Sequence, residues 1–136
     1  MVEEALTEQL LATAALTVLV GQRITWGQRN QGDPLPALVL TSVSSVNEYA
    51  DEGYVGLRMS RIQIDCWGAG ASDPILVARA VRAALASPEM TIAGVTFQGV
   101  FPAEDGVDSV EQGLAGVVEF RRRLEFELWN VETLGG

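Results

Sequence analysis

The sequence predicts an α+β fold: a single antiparallel or mixed β-sheet, covered on one face by two α-helices and carrying a long hairpin. Three observations predict it. Two segments, near residues 2–20 and 73–86, repeat their apolar residues at helical spacing. Two others, near 58–67 and 117–129, alternate apolar and polar residues, the period of a half-buried strand. The remaining apolar runs are short, β-branched and bounded by glycine, proline or acidic stretches, which reads as further strands. At 136 residues, 48% of them hydrophobic, the chain has the size of one domain around one core, spanning residues 1–136.

The first helix is expected from Val2 to about Val20, with Val2, Leu6, Leu10 and Ala14 on its buried stripe and Gln9 and Thr13 on a wetter side. Glu3 and Glu4 sit in its first turn, where carboxylates complement the helix dipole, and Gly21 is its stop. Arg23–Trp26 reads as a short strand, 27–34 as a loop, and Ala37–Ser45 as a strand. Residues 46–54, polar and acidic with two tyrosines, read as a long hairpin tip. In the next strand Ile62, Ile64 and Cys66 alternate with Arg61, Gln63, Asp65 and Trp67. Gly68–Ala71 breaks it. The second helix then opens with Asp73 as N-cap and Pro74 at its first position, where the missing N–H costs nothing. Val77, Ala80, Val81, Ala84 and Leu85 form its buried stripe, and Arg79 and Arg82 face water. Two short strands follow around Ala93-Gly94, then an acidic loop from Pro102 to Gly113. The closing strand places Phe120, Leu124, Phe126 and Leu128 on one face, and Arg121, Arg123, Glu125 and Glu127 on the other.

Composition narrows the chemistry. Histidine is absent, which removes the usual general base near neutral pH and the commonest metal ligand. No lysine is present either, so a lysine-bearing phosphate loop is impossible. The single cysteine, Cys66, has no internal disulfide partner and reads as a buried, inert thiol. The run from Glu104 to Asp108 lacks the spaced oxygen ligands of a calcium loop and reads as solvated. No cofactor or metal site is expected. The longest apolar region, Leu10–Val20, is broken by threonines and too short to span a membrane. Its acidic start is unlike a secretory signal, so the chain is expected to be soluble and made in the cytoplasm.

Nine arginines against eighteen carboxylates leave a net charge of −9. That balance opposes gripping a nucleic-acid backbone and suits a surface that nucleic acid slides past. The one basic cluster, Arg121-Arg122-Arg123, is expected to form cross-strand ion pairs. Arg122 shares a side with Phe120 and Leu124, so it lies near the strand's end or finds a carboxylate partner.

The pattern along almost the whole chain resembles the tail-terminator, or tail-completion, family of long-tailed phages and gene transfer agents. The resembling features are the first helix ending Leu19-Val20-Gly21 with Arg23-Ile24 after it, and Leu35-Pro36-Ala37 leading into a strand. They continue through Arg61–Trp67, the alanine-rich helix ending Val81–Leu85, and the terminal strand Arg121–Trp129. The sequence departs from the family pattern at Ser72-Asp73-Pro74 and in the length of the acidic 102–113 segment. The resemblance implies a structural protein and not an enzyme: a subunit of a ring of six that caps the head-proximal end of the tail tube. Its implied partners are further copies of itself, the major tail tube protein and a head-side stopper or connector, with DNA passing through the lumen without specific binding. It implies assembly in the host cytoplasm and residence in the particle. The rival readings are another neck protein (adaptor or stopper) and a small ligand-binding domain or enzyme.

Two segments are the candidate protein interfaces. The hairpin tip offers Asn47, Glu48, Tyr49, Asp51, Glu52 and Tyr54, and the acidic loop offers Glu104, Asp105, Asp108 and Glu111. Exposed aromatics on a long hairpin serve protein contacts; the alternative is that Tyr49 and Tyr54 pack back on their own hairpin.

Overall fold

The structure, a computed structural model, describes residues 2–29, 34–50, 53–86, 90–92, 94–112 and 118–132. The first helical segment folds as two helices, α1 (Val2–Leu11) and α2 (Ala14–Val20), and not as one. The break falls at Thr13. Thr13 is extended (φ −90, ψ 104), so its N–H turns to the Leu10 carbonyl at 3.2 Å. Its hydroxyl instead donates to the Gln9 carbonyl at 2.9 Å, replacing the helical bond lost at that step. The break re-aims the apolar stripe: Leu6 and Leu10 are buried in α1 and Leu16 and Val20 in α2, while Ala14 is exposed, contrary to the uninterrupted spacing. Gly21, at φ 59, ends α2 as expected, its N–H bonding the Thr17 carbonyl at 2.8 Å.

Six strands follow: β1 (Ile24–Trp26), β2 (Ala37–Ala50), β3 (Gly53–Gly68), β4 (Met90–Ile92), β5 (Val95–Gln112) and β6 (Val118–Glu132). They form one sheet in the order β1-β2-β3-β6-β5-β4. β1 runs parallel to β2 and every other pair is antiparallel, so of the two alternatives the sheet is mixed. The two centre strands, β3 and β6, pair without a register shift from Leu57↔Val131 to Gly68↔Phe120.

Two segments expected as loops are strands. β2 and β3 continue into the 46–54 tip, with Tyr49 opposite Tyr54 and Ala50 opposite Gly53. The acidic 102–113 segment is paired to β6 as far as Gln112↔Val118. Proline, glycine and carboxylates lower its intrinsic strand preference, but a long ordered partner overrides propensity. The extra residues are absorbed as register shifts at 97/99, 102/104 and 104/107, the last spanning Gly106 at φ 104.

α3 (Asp73–Ala84) connects β3 to β4. Asp73 is its first residue and not its cap; Ser72 holds the cap position, and the Asp73 carboxylate accepts the Gly70 N–H at 3.2 Å. The buried stripe is as expected, although Arg79 is exposed and Arg82 half-buried. The helix starts so close to β3 that a Cβ on Gly68 would lie 2.5 Å from the Asp73 Cβ, which only glycine avoids.

The core is one cluster. Alternate residues of the centre strands (Ile62, Ile64, Cys66, Leu124, Phe126, Leu128) join Leu38, Leu40 and Phe97 and the buried stripes of all three helices. α3 packs on β3 and β6. α1 touches both margins of the sheet: it packs on β4, and its Thr7 hydroxyl accepts the Trp26 indole N–H of β1 at 2.8 Å. Among the described residues no helix is long and apolar enough to cross a membrane. Ile64 is fully buried at the middle of this cluster, so Ile64→Ala is expected to cost about 2–5 kcal/mol. Urea unfolding followed by far-UV circular dichroism measures it.

Candidate functional site

The side of β3 and β6 opposite the core residues carries a chain of ion pairs. Period-two alternation puts Arg61, Gln63, Asp65 and Trp67 of β3 beside Glu127, Glu125, Arg123 and Arg121 of β6. Asp65, 6% exposed, accepts from Arg123 Nε at 3.1 Å and from Gln63 Nε2 at 3.0 Å, with Arg121 Nε at 4.0 Å. Arg61 lies 3.3 Å from Glu125 and 3.9 Å from Glu127. Arg29, from the segment after β1, reaches Glu119 at 2.6 Å, and its guanidinium carbon lies 5.1 Å from the centre of the Trp67 ring. Arg121 stands at the same 5.1 Å from that ring and donates to the Ser109 hydroxyl at 3.1 Å. Cation–π geometry of this kind keeps a half-buried tryptophan on a polar face.

The arginine triplet is therefore engaged within the fold, as the alternation implied. Arg122, which points to the other side, finds its carboxylate in Asp108 of β5 through two bonds of 2.7 and 2.9 Å. Sequence reasoning missed Arg29 as a partner of Glu119 and Trp67. Its one signal was the placement of Trp67 among polar positions, an aromatic that needs cover. Cys66 is buried beneath this face, and burial, with the Asp65 charge beside it, pushes its thiol pKa up to about 12.

Among the described residues the surface carries a groove and a notch. A groove of ≈ 440 Å³ runs along α1 to Trp26, rimmed by Glu3, Glu4 and Glu8 and floored by Leu11. A notch of ≈ 390 Å³ lies between the start of α3 (Pro74, Ile75) and the β5–β6 pair (Val110, Phe120). Neither offers a histidine or a lysine, since the chain has none. Among the described residues, no three carboxylate or cysteine side chains converge on a metal position.

The two candidate interface segments are not brought together. Asn47 is opposite Arg58, which is level with Asn130 and through it with Phe97, towards one end of the strands. Glu104, Asp108 and Glu111 stand opposite Glu125, Arg122 and Glu119, towards the other. Asp105 is in β5 between them. Asp51 and Glu52 lie outside the described residues, as do the side chains of Asn47, Glu48, Tyr49, Tyr54, Glu104, Asp105 and Glu111. Asp108 is described: it is exposed and ion-paired.

The described polar side chains on this side of the mixed sheet bind mainly one another, which gives the face a structural role. The family comparison makes this specific: the model for the tail completion protein gp17 matches residues 4–125, and the chain belongs to that family. It is thus a structural protein of a phage or phage-like tail, part of a particle built with other tail and head proteins, and not an enzyme. Among solved structures it is similar to a chain of the virion of a native gene transfer agent particle, at 21% identity and a TM-score of 0.71. That likeness covers 96% of this chain and 94% of the other. No curated protein matches.

The Asp108–Arg122 pair gives a pH test. Hydrogen bonding from Arg122 holds the Asp108 carboxyl below its ordinary 3.8. A folded pKa below the unfolded one means the pair stabilises fully above the usual carboxylate range, and loses its contribution as pH falls through the lowered value. The stability difference between wild type and Asp108→Asn is therefore expected to be constant near neutral pH and to shrink on acidification, read as urea midpoints along a pH series.

Proposed function

We propose that this chain is the tail terminator of its particle: six copies form a ring on the head-proximal end of the tail tube, stop its growth and present a docking surface to the head. The observation that carries the reading is the family match across residues 4–125. The fold likeness to a gene transfer agent chain over nearly the full length supports it. Residues 1–136 act as one domain, with the helices on one face of the sheet and the ion-paired side of β3 and β6 on the other. The partners are further copies, the major tail tube protein and a head-side stopper or connector. DNA passes through the lumen without specific binding. The net charge of −9 supports this, since an acidic wall repels a passing duplex, and the arginine triplet is engaged by carboxylates and a serine within the chain. The protein is made in the host cytoplasm and ends in the neck of the particle.

The hairpin tip (Asn47, Glu48, Tyr49, Asp51, Glu52, Tyr54) reaches a neighbouring ring, and the acidic part of β5 (Glu104, Asp105, Asp108, Glu111) contributes a second contact. Support for the tip comes from the length of β2 and β3, whose pairing extends to Ala50↔Gly53. Replacing both Tyr49 and Tyr54 with serine is expected to weaken head–tail joining, scored as infectious or DNA-delivering particles, while leaving the unfolding midpoint of the isolated protein in place. Unchanged joining would remove the tip from the interface. Electron microscopy of particles made without the gene tests the ring itself. Overlong headless tubes beside DNA-filled tailless heads are expected; tails of normal length would move the protein elsewhere in the neck.

A further inference from the structure

The groove along α1 joins an open apolar floor to a surplus of carboxylates. Its floor is Leu11, 40% exposed, and the half-buried ring of Trp26, which packs against the core from β1. The neutral polar groups at its centre are satisfied from within. The Thr7 hydroxyl accepts the Trp26 indole N–H at 2.8 Å and donates to the Glu3 carbonyl at 2.7 Å. The middle of the groove therefore offers carbon surface, and its rim offers charge: Glu3, Glu4 and Glu8, the last two exposed. On the sheet, carboxylates stand against arginines, Asp65 against Arg123, Asp108 against Arg122 and Glu119 against Arg29. The groove has a different balance. From Met1 to Gln22 the sequence has no basic residue, and Arg23, the first, turns its guanidinium to the Pro36 and Leu19 carbonyls. Glu4 and Glu8 also stand four apart on one helix face, a like-charge spacing that destabilises a helix and that a cation between them relieves.

We infer that this groove docks a cationic amphipathic segment of another protein of the particle. A large apolar side chain of that segment lies on Leu11 and Trp26, and arginines or lysines beside it face Glu3, Glu4 and Glu8. The inference stands on the particle role that the family match shows, and on neither the ring nor its position. Charge complementarity names the occupant. An apolar centre inside a charged rim is the ordinary anatomy of a protein contact, and the sign of the rim selects the partner and speeds its approach. Here the rim is negative, so it repels acidic segments and favours basic ones. The open Trp26 ring adds a preference for a guanidinium, which stacks on aromatic faces. A second copy of this chain does not fit. It has no lysine, a net charge of −9, and its Arg23, Arg29, Arg61, Arg121, Arg122 and Arg123 are engaged within the fold. From Glu3 to Leu11 the groove follows about 12 Å of helix axis, enough for two turns of a docked helix.

A designed peptide tests the groove on the full chain. The probe is a fluorescein-labelled helical peptide with leucines along one face and arginines on its flanks, followed by fluorescence anisotropy. One control peptide replaces the leucines with serine at the same charge, and the other replaces the arginines with glutamate. Saturable binding of the first peptide is expected, with each control weaker by at least about tenfold, because both the floor and the rim are read. Leu11→Ser is expected to weaken that binding at unchanged charge. Glu4→Arg with Glu8→Arg is expected to reverse the preference towards the glutamate peptide. Glu8→Arg alone, beyond the first turn of α1, is the second variant should the double change disturb the helix start, and thermal melts by circular dichroism confirm the fold of each. Equal binding of the serine peptide would mean that only net charge is read and would overturn the inference. So would no binding of the first peptide, or binding that neither Leu11→Ser nor the charge reversal alters. In particles, the charge-reversed chain is expected to lower the yield of DNA-delivering particles; an unchanged yield would remove the groove from assembly and leave the ring reading standing.

Discussion

The rest of the molecule depends on the register between β3 and β6. Twelve consecutive pairs, from Leu57↔Val131 to Gly68↔Phe120, run without a slip through the middle of the sheet. Because side chains alternate strictly along a strand, a shift by one residue would move Ile62, Ile64, Leu124, Phe126 and Leu128 out of the core. The same shift would push Asp65, Arg121, Arg123 and Glu125 into it. Burying those charges away from their partners is the larger penalty, so the polar side enforces the register as firmly as the apolar side does.

The outer strands obey a looser rule. β1 and β4 are three residues each, so most of β2 and β5 extends beyond the marginal strand that pairs with it. An unpaired strand margin attracts other chains, and proteins blunt it with bulges, proline and charge. β5 has all three: register shifts, Pro102 and its carboxylates. β2 has an extra residue at Val43, which breaks the ladder between Ser42 and Ser44. α1 then closes the arrangement by touching β4 on one margin and Trp26 of β1 on the other. The helical layer thus depends on a curvature that no single element encodes.

Charge divides the labour in a tail protein of this kind. The central arginines are held close to carboxylates, and Arg29 crosses from the far side of β2 to complete the set with Glu119 and Trp67. Half-exposed pairs of this sort contribute at most about 1 kcal/mol each. Their larger effect is to leave the excess carboxylates as the dominant field outside the molecule. Against that field the run from Gln9 to Gln22, through the end of α1, the Thr13 break and α2, carries no charge.

Much of this was legible in the sequence, for identifiable reasons. Period-two alternation fixed the faces of β3 and β6, and helical spacing with a proline start located α3. The Cys66 burial, the need of Arg122 for a carboxylate and the family resemblance were equally readable, because each rests on residue type and local order. What only the tertiary structure decided depends on partners distant in the chain. Thr13 is extended because Leu16 and Val20 must reach the same core as Leu6 and Leu10. The acidic 102–112 segment is a strand because β6 offers it a ladder, which no local propensity reports. The parallel β1–β2 pair and the Arg29–Trp67 contact join residues whose sequence neighbours do not predict each other. Sequence by itself determined which residues seek burial and which seek water; the fold decided which of them meet, since pairing energy is a property of two places in the chain and periodicity of only one.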